Sequence, residues 1–163
     1  MMTLSTFSAK AAVPLTTVEH VDLHRYAGTW YEIARLPNRF EKKCVRDVTA
    51  EYTLDGDNVK VQNTCMQADG KPNVAKGRAK VVDAATGAKL KVTFFWPFYG
   101  KYWIIGLDPE YRWAVVGEPG RKYLWVLSRT PSLSPEEQNR VDQVIEERGY
   151  QRSALVETPQ TKR

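Results

Sequence analysis

The sequence predicts an all-β fold: an eight-stranded antiparallel up-and-down barrel with one amphipathic helix packed against its outside. Three observations lead there. Short segments of alternating apolar and polar residues recur from residue 28 to 130, separated by turn signals. The connections between them are mostly short, as antiparallel hairpins require. One stretch near the end switches to the helical period.

With 163 residues, the chain is expected to form one domain that buries about two-thirds of its unfolded surface. Apolar residues make up 42% and charged ones 26%, as in ordinary globular proteins. No apolar run approaches the ~20 residues needed to cross a bilayer as a helix. The net charge of +5 reads first as a lysine-rich solvated surface, and second as a leaning toward anionic ligands or surfaces. Residues 1–20 are expected to be a flexible tail, 21–157 the barrel and helix, and 158–163 a C-terminal tail. The opening "MMTLSTFSAKAAVPLTTVEH" has no charged start followed by a long apolar core, so it reads as a disordered tail. Its "AKA" at 9–11 has the small-x-small look of a processed end.

The elements follow in order. In "DLHRYAG", Asp22 is placed to cap one helical turn, with Leu23 and Tyr26 on the same side. Such a turn would lie across one barrel end. Gly28 lets the chain bend into the first strand, "TWYEIARL", and Trp30 then points inward to fill the floor. A cation covers an indole face well, and Arg129 at the end of the last strand is the candidate, because first and last strands are neighbours in a closed barrel. The longer loop "PNRFEKKC" (37–44) belongs to the open end, where Phe40 and Arg39 would form a partial lid.

In "VTAEYTL" (48–54) the inward set is Val48, Ala50, Tyr52 and Leu54; "DGDN" turns the chain into "VKVQNTC", with Val59 and Val61 inward. "AKGRAKVVD" (75–83) and "AKLKVTFFW" (88–96) flank "AATG", and parity on the latter points Leu90, Val92 and Phe94 inward. "KYWIIGLD" has two apolar faces, so either Tyr102 and Ile104 or Trp103 and Ile105 face in. It is followed by "YRWAVVGE" and, after "PG", by "RKYLWVLSR", where Tyr123, Trp125 and Leu127 are in step with Arg129. That leaves Leu124 and Val126 to pack beneath the helix. In "LSPEEQNRVDQVIEERGYQ", Ser134 caps, Pro135 suits the first helical position and Glu137 completes a capping box. Val141, Val144 and Ile145 form one apolar stripe, and Gly149 stops the helix. A last short strand, "SALVE", is expected to follow.

Closing eight strands leaves an interior able to hold one small ligand or to be packed solid. The small inward residues Ala50, Gly77 and Ala79 argue for space. Cys44 and Cys65 both lie toward the open end. The simple ladder pairs Val48 with Cys65, so a bridge requires the loop before Val45 to curl back. Such a disulfide would pin the long loop to the barrel and stabilise it by ~3 kcal/mol. Enzyme readings are weak: His20 and His24 precede the barrel without metal-type spacing, and no nucleophile motif or phosphate loop occurs. No catalytic residue, metal ligand or cofactor is assigned. Single-stranded nucleic acid is the other class a basic, aromatic-rich barrel suggests. The aromatics fall mostly in step with the inward face, so no nucleic-acid partner is expected.

"GTWYEIAR" with Gly28 and Trp30, "LDPEYRWAVV" with Asp108 and Tyr111, and "YLWVLSRTP" with Arg129 resemble the three ordered signature blocks of the lipocalin family. The resemblance covers roughly residues 20 to 157. "GTWYEIARLPNRFEK" and "FFWPFYGKYWIIGLD" are most similar to the bacterial lipocalin branch, which also resembles apolipoprotein D and plant temperature-induced lipocalins. It implies a hollow barrel that binds, stores or transports fatty acids or lysophospholipids outside the cytoplasm, in the periplasm or at the outer membrane. It favours Tyr102 and Ile104 as the inward pair. The expected wall is then Val48, Ala50, Tyr52, Val59, Val61, Ala79, Val92, Phe94, Tyr102, Ile104, Tyr123, Trp125 and Leu127. Tyr52, Tyr102 and Tyr123 would orient a lipid head, with Arg39 or Lys101 for a carboxylate or phosphate. Gly28, Trp30, Asp108, Tyr111 and Arg129 are read as structural. The branch's lipid anchor needs an N-terminal cysteine, which this sequence lacks, so the signal and anchor are expected to lie outside it or the member to be soluble. Some family members act as isomerases through an inward free cysteine, which makes a reduced Cys65 the alternative. The aromatic run "FFWPFYGKYW" reads either as a packed loop or as a contact with a membrane surface. A monomer or homodimer is expected.

Overall fold

The structure, a computed structural model, describes residues 13–95 and 98–161. A single helical turn, α1 (Leu23–Tyr26), leads into eight strands: β1 (Gly28–Arg35), β2 (Arg46–Asp55), β3 (Asn58–Met66), β4 (Pro72–Val81), β5 (Lys89–Phe95), β6 (Phe98–Leu107), β7 (Trp113–Gly117) and β8 (Leu124–Ser128). The helix α2 (Pro135–Glu147) and a two-residue strand β9 (Val156–Glu157) complete the chain. Each strand from β1 to β8 pairs antiparallel with the next, and β8 returns to β1, so the barrel closes without a free edge. Trp96 and Pro97, where the sequence suggests a turn, lie outside the described residues.

Side chains divide into two cores because strand residues alternate between faces. The interior gathers Trp30, Tyr52, Val59, Val61, Ala79, Leu90, Ile104, Val116 and Leu127. The outer core holds Ile33, Ile105, Trp113, Val115, Leu124 and Val126 beneath Val141 and Ile145 of α2, as the helix stripe predicts. Both reciprocal bonds of the Ser134/Glu137 capping box are present, with Pro135 in the first turn. Gly149 follows the helix at φ +84°, a conformation that favours glycine.

Several boundaries differ from the sequence pattern for local reasons. β7 begins only at Trp113, because Asp108 accepts bonds from the Arg112 backbone (3.0 Å) and Nε (2.9 Å), folding 108–112 into a tight turn with Tyr111 at φ +61°. β8 begins at Leu124: Glu118 accepts from the backbone of Gly120 and Tyr123 and holds that stretch as a turn, so Tyr123 is not a strand residue. Within "SALVE" only Val156–Glu157 is strand, after a 3-10 turn at Arg152–Ala154.

The two ends of the chain dock on the barrel. In residues 13–20, Leu15 is buried in the outer core and the Val18 amide donates to the Ile104 carbonyl at 3.1 Å. At the other end, the β1–β2 ladder stops at the pair Tyr31 and Thr49. Above it β9 pairs with Ala34 and Arg35, and the Gln160 amide group donates to the carbonyls of Glu32 (2.9 Å) and Val48 (2.8 Å). The Asp47 amide donates to the Pro159 carbonyl at 2.8 Å. The segment 156–161 thus laces the upper seam between β1 and β2, satisfying backbone groups that the interrupted ladder leaves unpaired.

Candidate ligand site

One end of the barrel is shut from the residues upward. Asp22 accepts from the His24 amide at 2.9 Å and caps α1, which lies across the opening. Trp30 is fully buried, and its Nε1 donates to the Tyr26 carbonyl at 2.8 Å. Arg129 covers the indole, with Cζ 3.8 Å from the ring centroid. Its Nη2 donates to the carbonyls of Arg25 (2.7 Å), Tyr26 (3.2 Å) and Ala27 (3.0 Å), and its Nη1 to Thr29 (3.0 Å). These carbonyls end α1 and enter β1, so one guanidinium ties the plug to the barrel. Gly28 at φ +102° makes the bend there, and a β-carbon on it would stand 3.3 Å from Arg129 Nη1. The Tyr111 hydroxyl accepts from the Asp22 amide at 2.8 Å, fixing the plug from the other side.

Above Trp30 stands a chain of phenols. Tyr102 donates to Tyr52 at 2.9 Å, and the Tyr26 and Tyr102 hydroxyls are 2.7 Å apart. Because the Tyr102 proton is spent on Tyr52, Tyr26 must be the donor to Tyr102, and the Tyr52 proton remains for a group inside the barrel. Burial pushes the Tyr52 hydroxyl up to about 12 and raises Tyr26 and Tyr102 well above the ordinary phenol value, so all three keep their protons. Around them Leu23, Leu54, Val59, Ala79 and Leu90 enclose a residual cavity of about 10 Å³. That is room for about one water. The base of the barrel is solid.

The upper half is not. In a closed barrel an inward-facing residue is exposed where solvent reaches it from the open end. Ala50, Asn63 and Ala75 are register neighbours on the inner face of β2, β3 and β4, and Val92 lies on the inner face of β5; all are half-buried or exposed. Tyr102 and Trp125 are also half-buried while packing on the interior core. Solvent thus reaches the inner face above the phenols.

Of the expected wall residues, Ala50, Tyr52, Val59, Val61, Ala79, Val92, Tyr102, Ile104, Trp125 and Leu127 belong to the interior cluster, which places Tyr102 and Ile104 inward and Trp103 in the outer core. Val48 stands apart beside the bulge between Arg46 and Thr49. Phe94 and Tyr123 sit at the mouth. The space expected at Gly77 is not free: a β-carbon there would meet the Thr93 carbonyl at 2.4 Å and the Phe94 ring at 2.8 Å, so Phe94 lies over the glycine. Tyr123 stacks on Trp125, with centroids 5.9 Å apart and planes at 8°, and Phe40 leans on Tyr123 at 5.5 Å. The Arg39 guanidinium lies over Phe40. Beside it, Arg35, Pro37, Asn38, Arg39, Glu41, Lys42 and Cys44 surround an open depression of about 460 Å³ at the lip. Cys44 and Cys65 form a disulfide with Cα atoms 5.5 Å apart, so neither sulfur is a free thiol. The loop curls as required, with Cys44 donating to Glu41 and Val45 to Met66.

A polar cluster in the wall was not anticipated. Glu32 is 3% exposed and in step with Trp30, which alternation along β1 could have revealed. Its carboxylate accepts from Thr158 Oγ1 at 2.6 Å and lies 3.8 Å from Arg35 Nε. Arg35 Nε is 3.3 Å from Glu41, which also accepts from Trp125 Nε1 (3.1 Å) and Asn38 Nδ2 (3.0 Å). Burial raises the Glu32 carboxyl well above its ordinary value, and the nearby Glu41 carboxylate raises it further; Thr158 and Arg35 oppose this without reversing it. The cluster joins the lip loop, β1, β8 and the C-terminal segment.

Residues 21–160 match the lipocalin-like domain family. The chain is 44% identical to the outer membrane lipoprotein Blc of Escherichia coli K12 over 144 residues, covering 87% of this chain and 81% of that protein. It is 38% identical to temperature-induced lipocalin-1 of Arabidopsis thaliana, over 90% of this chain and 83% of the relative. With mouse apolipoprotein D the identity is 33%, over 87% and 78%. Among solved structures, insecticyanin from the tobacco hornworm Manduca sexta superposes with a TM-score of 0.75 at 22% identity, covering 90% of this chain and 85% of that one, which speaks to the fold. A base plugged by Trp30 under Arg129, eight strands in sequential order and an outer helix agree with these matches: the chain belongs to the lipocalin family.

Proposed function

We propose that the barrel binds one single-chain lipid, a long-chain fatty acid or lysophospholipid, and stores or carries it outside the cytoplasm. The observation that carries this reading is the solvent-reached inner face around Ala50, Ala75 and Val92 above a closed, apolar base. An acyl chain entering that cup trades water for Val92, Phe94, Tyr102 and Trp125. At ~0.8 kcal/mol per buried methylene, a sixteen-carbon chain offers over ~10 kcal/mol before ordering costs. Micromolar affinity therefore needs no special chemistry, and discrimination among chain lengths is modest. The head group stays at the lip, where Arg39 and Lys42 border the depression and supply positive charge to a carboxylate or phosphate. The disulfide and the outer membrane lipoproteins among the relatives support an extracytoplasmic, oxidising compartment.

Native mass spectrometry of freshly purified protein should reveal co-purified acyl chains. A fluorescent fatty-acid probe should bind and be displaced by oleate or lysophospholipid. Failure of both ligands to displace it at their solubility limits overturns the reading.

A further inference from the structure

We infer that the open end of the barrel is a docking face for an anionic phospholipid bilayer, so that the barrel stands on its mouth. The inference rests on the lipid-binding reading and adds the surface from which the ligand is taken.

Exposed large apolar side chains concentrate at that end. Phe95 is 80% exposed, Phe40 64%, Val74 48%, Val45 45% and Tyr99 38%. Phe94, 37% exposed, joins them at the mouth and Val156 lies on the upper seam beside Arg35, whereas Val13 and Val82 stand singly. Phe40 lies in the β1–β2 loop and Phe95 at the upper end of β5. In a closed ring of eight sequential strands those two places are diametrically opposite. Val74, near the upper end of β4, fills the arc between them. Aromatic rings at opposite sides of a hole define a plane across the barrel axis. A fluid bilayer conforms to an annulus of this kind, and an acyl chain can pass from it into the cup without crossing water.

Charge points the same way. Among the described residues, Arg39, Lys42, Lys43, Lys71 and Lys122 are exposed on the loops of the open end against a single exposed loop acid, Asp69, while Glu41 is turned inward to Arg35 and Trp125. At the opposite end exposed Asp55, Asp57 and Glu110 are interspersed with exposed Arg25 and Arg112, so the two signs mix there. An anionic surface therefore attracts the mouth more than the base, orienting the molecule before the rings insert.

The test is co-sedimentation of the full chain with vesicles of phosphatidylglycerol and phosphatidylethanolamine, against vesicles of phosphatidylcholine alone. Partition should be about tenfold higher on the anionic vesicles at low salt and fall several-fold in half-molar salt. Phe95→Ser should weaken it about tenfold, and Lys43→Glu with Lys71→Glu should abolish the preference for anionic lipid. These side chains lie outside the cup, so fatty-acid probe binding without vesicles should persist in both variants. Absence of sedimentation with either vesicle, or unchanged sedimentation of the variants, overturns the docking face while leaving probe binding intact. Capture of the mouth by a protein at the expense of vesicles also overturns it. Loss of probe binding by the parent protein sinks the lipid reading beneath it instead.

Discussion

The guanidinium of Arg129 lies 3.8 Å over the ring of Trp30 while donating to four carbonyls at the α1–β1 junction, so one side chain both lids the indole and holds the plug. Lysine at this position would keep the charge and lose the planar fork. Arg129→Lys should therefore cost about 2–4 kcal/mol, from a weaker cation–π contact and unpaired carbonyls. Thermal unfolding should shift down by roughly 5–15 °C. An unchanged melting temperature would show that the plug is held by other contacts.

Glu32 makes stability depend on pH in a direction opposite to most carboxylates. Its folded value is raised, above all by burial and then by Glu41, so the folded state holds a proton that the unfolded chain releases near ~4.3. That contribution is complete below the unfolded value and is lost as pH rises through the folded one. The groups facing it are Glu41 from the lip loop, Arg35 on its own strand, Tyr52 from β2 and Thr158 from the C-terminal segment. Glu32→Gln imitates the protonated form. Urea unfolding from pH 5 to 9 should show a loss of stability in the parent protein that is much reduced in the variant. Amide exchange at residues 157–161 should quicken with pH beyond its intrinsic rise in the parent alone. Parallel profiles for the two proteins would refute the assignment.

The barrel, its order and its plug were legible because they rest on local signals: period-two alternation, hairpin turns, and a glycine before Trp30. The polar cluster was not, and a bulge explains part of this. Between Glu32 and Ala34 the β1–β8 register shifts, so Ile33 and Ala34 both join the outer core and Arg35, opposite Trp125, turns inward. Strict alternation would have sent Arg35 outward. A second shift, between Val92 and Phe95, accompanies the Phe94 ring over Gly77, occupying space that the glycine alone suggested was empty. The lacing by Gln160 is a contact between positions 112 and 128 residues apart and leaves no periodic trace.

The Cys44–Cys65 bridge spans a sequence separation of 21 and ties the lip loop to β3. Reduction frees that loop in the unfolded chain and should lower stability by ~3 kcal/mol. Denaturant melts with and without reductant give the difference directly. Because Arg39 and Phe40 ride on the same loop, probe affinity should also fall in the reduced protein, several-fold at a temperature where it remains folded. Affinity that survives reduction would mean the lip does not contribute to binding.

Ala50 and Gly77 separate an open cup from a filled one. Ala50 faces inward but is half-buried, so the larger side chain of Ala50→Leu has vacant space to enter. It should leave the melting temperature unchanged or raise it slightly, while occupying ligand volume and weakening a long-chain probe tenfold or more. Overpacking a filled interior would instead cost about 1–3 kcal/mol. Gly77→Ala offers the contrast, since its β-carbon would fall 2.4 Å from the Thr93 carbonyl and against the Phe94 ring. That change should destabilise, because the backbone on one side cannot yield. Measured together by thermal melts and probe titration, the two variants should move stability in different directions. A destabilised Ala50→Leu with intact probe binding would mean that the ligand does not occupy the space beside Ala50.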